Sequence, residues 1–551
     1  MNNPPKPDYT SRVPRYTFAN TLAEQQAQLA ANPMLERFQQ SRQRLASDPY
    51  RPLYHFVSPE SGLNDPNGLC FWQGNWHLFY QTNPPEEPGR PHWGHAISTD
   101  LIHWRDLPHA IHPNPERMSF SGATLVEEDR VIAIYHGVGV GNMVAVAGDP
   151  LLLNWEKLTG QAVIPEPCEM WNTTTGKEIT PGLLGNPVPA GAINFMYDPC
   201  LWKKNGFYYS LSGGILPHAA SGKRTRAEFL FRSQDLQSWE YLHSFIEGDR
   251  FGEIGDDGGC PYFWPIGDRH LLLHYSHRTG GKYILGDYDT RADKFIATAG
   301  GSFTFGSYVP GGVHAPSATP DGKGGVIAIF NINMAKPTPG WDQIMSLPRR
   351  LTLIGKDDLG VEPAGAIESL RGEQRSVAPR TLPANQEIVL DSIRGNALEI
   401  ILEIDPKNAP MIELDVLRSP GREEFTRICF FKQRGYRNWE RAAGSVWDQN
   451  AIDSLLSIDT SRSSQLPDVL SRAPETAPFY LAPGENLKLR VFIDKSVLEV
   501  FVNGRQCATV RVYPGHADSL GVSLLAQGQP AELLRFDAWQ MQGIDGKSIA
   551  A

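Results

Sequence analysis

The sequence predicts an all-β protein: a ring of short repeated sheets, then an antiparallel β-sandwich, with a short helical extension in front. Three observations predict it. A layout of Asp-Pro, aromatic-rich strand, turn and second strand occurs at Asn64-Asp65-Pro66-Asn67-Gly68 and at Tyr197-Asp198-Pro199, and a third copy is headed by Cys260-Pro261. A turn carrying an Asp ahead of a strand-opening Trp recurs at Asp100 and Trp104, Asp149 and Trp155, and Asp235 and Trp239. From residue 377 onward, apolar and polar residues alternate with period two, as in strands with one face buried.

Residues 1–49 read as an N-terminal extension. Between 20 and 46, Leu22, Leu29, Leu35, Phe38 and Leu45 recur at helical intervals, and Asn32-Pro33 predicts a break into two helices. Residues 50–354 are short strands with turn signals every roughly 8–12 residues. The spacing of Trp104 and Trp155 is close to one four-stranded propeller blade of roughly 40–50 residues, so the segment holds five or six blades. A sandwich would also give short strands, but not this repeat. Residues 355–376 read as a linker, with Glu362-Pro363 and a helix-like 367–371. Residues 377–551 read as the sandwich, where Asn503-Gly504 is a strong hairpin signal.

Composition narrows the function. A net charge of −10 opposes unaided binding to nucleic acid or anionic lipid, whereas a neutral sugar is indifferent to it. No run approaches roughly 18 uninterrupted apolar residues, so no membrane association is expected. The first residues carry no apolar core of a signal peptide, which leads to the expectation of a cytoplasmic protein. Six scattered cysteines without a CxxC pair predict neither a zinc site nor a disulfide framework, and Cys200 and Cys260 read as buried structural thiols. The expected partner is a small-molecule or oligosaccharide substrate, used without metal or cofactor; a homo-oligomer remains open. Repeated modules that each present a carboxylate at the head of an inner strand converge those carboxylates on one axis, and two such groups are the minimum equipment for cleaving a glycosidic bond.

At these residues the chain resembles glycoside hydrolase family 32, the invertases, inulinases, levanases and related fructosyltransferases. The match runs from Tyr54 to Trp539 through six ordered elements: 63–68, 77–84, 93–101, Phe120-Ser121-Gly122, Trp341 with 345–349, and 494–503. The resemblance implies a five-bladed propeller plus sandwich that acts on β-fructofuranosides with retention of configuration. It implies Asp65 as the nucleophile, Asp198 as the transition-state stabiliser, and Asn64, Gln81, Trp93, Phe120 and Ser121 as the lining of the fructosyl pocket. A fructosyl or fructan transferase, a catalytically impaired carbohydrate-binding propeller and a glycosidase for another furanoside are the alternatives.

Two departures stand out. Where the family writes Arg-Asp-Pro, Tyr197 precedes Asp198, so a neutral phenol replaces a cation that clamps sugar hydroxyls. Where it writes Glu-Cys-Pro, Gly259 precedes Cys260, and the acid/base is missing from its usual place. Strand alternation ranks Asp257 first as substitute, Asp256 second should the glycine pair form a bulge, and Glu253 third. The rival readings are plain: Asp65 and Asp198 as turn formers, Asp256 and Asp257 as solvated loop acids, Trp93 as core. The Asp-to-Trp repeats, and His274, His277 and His314 near strand ends, read as structural.

Overall fold

The computed structural model describes residues 9–165, 195–218, 223–442, 445 and 447–544. Helices α1 (Leu22–Ala30) and α2 (Pro33–Leu45) part at Asn32, where the Asn-Pro step predicts a break. The Asn32 side chain accepts hydrogen bonds from the Met34 and Leu35 amides, and Pro33 takes the first helical position, where no amide is needed. Leu29 is buried with Ile97, Leu107 and Leu151, and Leu45 with Val57, Ile332 and Trp341. Arg42 clamps both carboxylate oxygens of Asp106 at 2.6 and 2.7 Å. The extension is a strap on the outside of the sheets.

Five sheets form the ring. Their innermost strands are Leu63–Trp72, Ser119–Val126, Phe195–Lys204, Gly259–Ile266 and Val313–Pro320. Each touches the inner strands of the sheets before and after it, and the fifth touches the first, so the propeller closes with five blades. The Asp-to-Trp repeats are blade corners, as expected. Asp100 accepts the amides of Ile102 and His103 at 3.0 and 2.8 Å, Asp149 those of Leu153 and Asn154 at 2.9 Å, and Asp235 those of Gln237 and Ser238 at 2.9 and 2.8 Å. Trp104 is buried with Ile327 of the fifth blade, and Trp155 packs edge-on to Phe79 between the first two.

The stretch expected as a linker is mostly sheet. Asp358–Pro363 completes the fifth blade beside Arg349–Ile354, and Arg371–Val377 pairs with Ala531–Met541 in the sandwich, leaving only 364–370 between them. Pro363 stands at the end of its strand, where a missing amide breaks no ladder. The sandwich buries Ile400, Leu414, Ile428, Val491, Val500 and Leu524 between two sheets. Its hairpin at Asn503-Gly504 has φ of 49° and 63°, the left-handed pair a tight turn demands.

Charge is buried and matched where propeller meets sandwich. Asp494 accepts the amides of Leu53, Tyr54 and His55 at 2.7, 2.8 and 2.8 Å, and lies 2.9 Å from His55 Nδ1. His55 Nε2 is 3.1 Å from Glu499, whose other oxygen takes a 2.8 Å bond from Arg349; all four side chains are fully buried. Burial opposes the charge on His55, but its two carboxylates overcome this and lift its pKa to about 9. Against the same burial, Arg349 and His55 hold Glu499 at about 2.

Candidate active site

Every inner strand begins with a slip in register. Asn64 and Asp65 face Gln81 alone, Phe120 and Ser121 face His136, Cys260 and Pro261 face His274, and His314 and Ala315 face Asn331. In the third blade Asp198 is a single extra residue between the pairs Tyr197 with Gly213 and Pro199 with Ser212. A bulge re-aims a side chain out of strand alternation. Repeated in every blade, it points one side chain per blade at the axis. Pro66, Pro199, Pro261 and Pro316 follow four of these residues. Proline has no amide to lose, so it is at home beside a bulge. Asp198 and Cys260 take φ of 46° and 47°, a left-handed conformation that costs a non-glycine residue about 1–3 kcal/mol and marks functional sites.

Asp65, Ser121, Asp198, Cys260 and His314, one residue from each blade, meet on the axis. Ser121 donates to Asp65 Oδ2 at 2.6 Å, and Gln81 donates to the same oxygen at 3.2 Å. His314 Nδ1 lies 3.3 Å from Asp65 Oδ1. Cys260 Sγ stands between the two acids, 3.6 Å from Asp65 Oδ2 and 3.5 Å from Asp198 Oδ2. The Cys260 amide also donates to Asp198 at 3.2 Å. Asp65 and Asp198, 8% and 7% exposed, lie at the axial end of the ring where the inner strands begin, the funnel.

Their electrostatics diverge. Burial works against a charge on Asp65, but His314 and Ser121 outweigh it and hold the carboxyl below its ordinary value. Burial and then the charge of Asp65 push Asp198 up to about 7, and the Cys260 amide offsets only part of this. Two neighbouring carboxyls held at different protonation are the arrangement acid–base and covalent chemistry need. Among the described residues, no group of three or more His, Cys, Asp or Glu is arranged to hold a metal ion.

The other expected site residues divide. Asn64 accepts a 3.1 Å bond from Asn331, Gln81 bridges Asp65 and Ser121, and half-buried Phe120 lies beside Ser121. Trp93 is a correction: it is 0% exposed, packs on Phe79 and Tyr135, and donates from its indole to the Phe120 carbonyl at 2.8 Å. It props the second-blade bulge from behind and cannot stack on a sugar. The Tyr197 hydroxyl donates to the Asp257 carbonyl, tying the third blade to the start of the fourth.

Asp256 is also turned away from the funnel. It is fully buried, bonded to Lys282 at 2.8 Å, Ser276 at 2.7 Å, Thr279 at 2.8 Å and the Glu253 amide at 2.8 Å. Against its burial these partners hold it far below the ordinary carboxylate range. Glu253 pairs with Arg278 on the surface. Asp257 spends both oxygens on His277, at 3.0 Å to its amide and 2.6 Å to Nδ1. Cys260 and His314, read from sequence as structural, belong to the axial ring. The signal for them was present: Cys260-Pro261 repeats the heading of the Asp65 and Asp198 strands, and His314-Ala315-Pro316 carries it with one residue inserted.

Comparison with known proteins supports the same reading. The chain is 26% identical to the levanase of Bacillus subtilis over 87% of this chain and 68% of that one. It is 27% identical to a sucrose-6-phosphate hydrolase of Escherichia coli, covering 89% and 95%. In fold it is similar to fructan 1-exohydrolase IIa from Cichorium intybus, with a TM-score of 0.72, 21% identity and coverage of 90% and 98%. Residues 55–363 match the Glycosyl hydrolases family 32 N-terminal domain and residues 366–540 the Glycosyl hydrolases family 32 C terminal domain. A propeller whose five bulges bring two acids together, carried beside this sandwich, makes the chain a glycosidase of glycosyl hydrolase family 32.

Proposed function

We propose that this chain releases terminal β-fructofuranosyl units from sucrose or short fructo-oligosaccharides by double displacement. One observation carries the reading: Asp65, kept ionised by Ser121 and His314, faces Asp198 across the sulfur of Cys260. Asp65 attacks the anomeric carbon from the funnel floor and forms a fructosyl ester. Ionised Asp198 binds ring hydroxyls and stabilises the oxocarbenium character of the transition state, and water then displaces the carboxylate with net retention. The levanase and the sucrose-6-phosphate hydrolase among the relatives support a fructosyl substrate by their names. Incubation with sucrose and 1-kestose tests it, with fructose measured against longer oligomers and the first-formed anomer read by NMR. Free β-fructose is the expected product; oligomers at early times would make the chain a transferase, and binding without turnover would make it a sugar-binding propeller.

A further inference from the structure

In the strand pairing of the fourth blade, Gly259 lies opposite Tyr275, at the level of the two carboxylates. A Cβ at position 259 would stand 3.3 Å from Asp198 Oδ2, 3.4 Å from the Tyr197 ring and 3.6 Å from the Tyr275 ring. A side chain there would lie against both phenols and face the Asp198 carboxylate. The proton donor has to enter from elsewhere. His277 lies two residues beyond Tyr275, just past the end of the strand Arg269–Ser276. Its ring packs edge-on to Tyr275 at 4.9 Å and lies 6.3 Å from the His314 ring, which itself touches Asp65. Asp257 grips it twice, through its amide and Nδ1. Its side chain is 63% exposed, and among the described residues Nε2 has no hydrogen-bond partner.

We propose that His277 is the acid/base of this reaction and that Asp257 is its positioning residue. This deepens the fructosyl-transfer reading and rests on it. In the first step Asp65 attacks the anomeric carbon, the bond to the leaving oxygen breaks, and that oxygen keeps the electron pair and takes the Nε2 proton of the imidazolium. In the second step neutral Nε2 takes a proton from water as the water oxygen attacks the same carbon and the Asp65 carboxylate departs. The imidazolium is regenerated and atoms balance as hydrolysis. A carboxylate on Nδ1 fixes tautomer and ring orientation, the arrangement a general acid/base needs. The groups facing His277 are Asp257 on Nδ1 and Tyr275 and His314 at its side, with the charges of Asp198 and Asp65 also acting on it; the adjacent Arg278 is tied to Glu253. The bond to Asp257 raises the His277 pKa above 6.5, against burial and with help from Asp198 and Asp65, which keeps the acid form available near neutrality.

The test uses the full chain with sucrose and with an aryl β-fructofuranoside whose phenol leaves unaided. His277→Gln should lower sucrose turnover about 10²–10⁴-fold. With the aryl fructoside it should spare the first step, so that a fructosyl ester on Asp65 accumulates and is seen by mass spectrometry. The alkaline limb of kcat/KM on sucrose should vanish in this variant. Asp257→Asn should keep that limb but move it to lower pH, with a smaller rate loss. Because His277 is exposed, melting should stay near that of the parent; a variant that fails to fold is replaced by His277→Lys, with the same limb expected to move. Unchanged sucrose turnover, or equal losses on both substrates with the limb intact, overturns the assignment. Failure of the parent itself to cleave either fructoside would instead overturn the fructosyl reading.

Discussion

Two of the places where this molecule buries acids are built in opposite ways. At the seam between propeller and sandwich, Asp494 takes three backbone amides and a histidine, and Glu499 takes His55, Arg349 and the Leu347 amide. Each negative charge there has a positive or N–H partner. On the funnel floor Asp198 has one amide, one thiol and a second acid as neighbours, and its backbone sits in the left-handed region. Burying a charge is costly unless it is paired. The seam meets that condition, whereas Asp198 has one N–H and, among the described residues, no cation among its hydrogen-bond partners. The contrast separates a structural use of buried charge from a functional one: in the proposed mechanism the under-satisfied carboxylate meets sugar hydroxyls and a developing positive charge.

The largest expected effect comes from the funnel. Asp65→Asn should abolish turnover on sucrose, by about 10⁴–10⁶-fold on the scale of nucleophile removals, while the melting midpoint stays at or above that of the parent. Fructose release and a thermal melt check both. A melt that falls as far as in a seam variant would break the contrast.

The seam should show the reverse. Glu499→Gln leaves the Arg349 guanidinium and the His55 imidazolium short of a counter-charge in a fully buried place. Breaking one partner out of such a pair costs about 3–5 kcal/mol, readable as a shift in denaturant midpoint, with kcat retained in the folded fraction. The pH dependence has a definite sign. His55 is raised from 6.5 to about 9, so its contribution is complete below pH 6.5 and fades as pH rises toward 9. Glu499 is lowered from 4.5 to about 2, so its contribution is complete above pH 4.5 and fades as pH falls toward 2. Stability of the parent should therefore decline on the alkaline side, and His55→Gln should flatten that decline.

The architecture was legible because its signals are local and repeated. Asp100, Asp149 and Asp235 fix turns with their own downstream amides, so each corner is written in consecutive residues. Asp65 and Asp198 were legible from the Asp-Pro headings. What sequence could not give was parity through the bulges. Regular alternation would put Asp257 on the face of residue 259, but between Gly255 and Gly258, with φ of 97° and 65°, the side chain turns to His277 instead. Nor could it show that Trp93 supports the pocket from behind, because an indole in a blade and one lining a funnel have the same neighbours in sequence. A histidine just past a strand end carries no periodic signature, so His277 is found only through the ring contacts that place it.

The smallest effect sharpens the contrast most. Asp198 is raised from 3.8 to about 7 because it is buried beside Asp65 with no cation at position 197. In the proposed mechanism its ionised form holds the sugar hydroxyls, so kcat/KM should fall about tenfold per pH unit below 7. Tyr197→Arg would set a positive charge beside it, and an opposite charge at this range lowers a carboxyl pKa by about 1–3 units. The acid limb should move down by that much. Stability runs with the opposite sign to the seam glutamate: a raised carboxyl favours the fold below pH 3.8, and this is lost as pH rises toward 7. Asp198→Asn should accordingly gain its largest stability over the parent above pH 7 and almost none near pH 4. A limb that stays in place in Tyr197→Arg, together with an Asp198→Asn melt that tracks the parent at every pH, would mean that the funnel acid is as well satisfied as those at the seam.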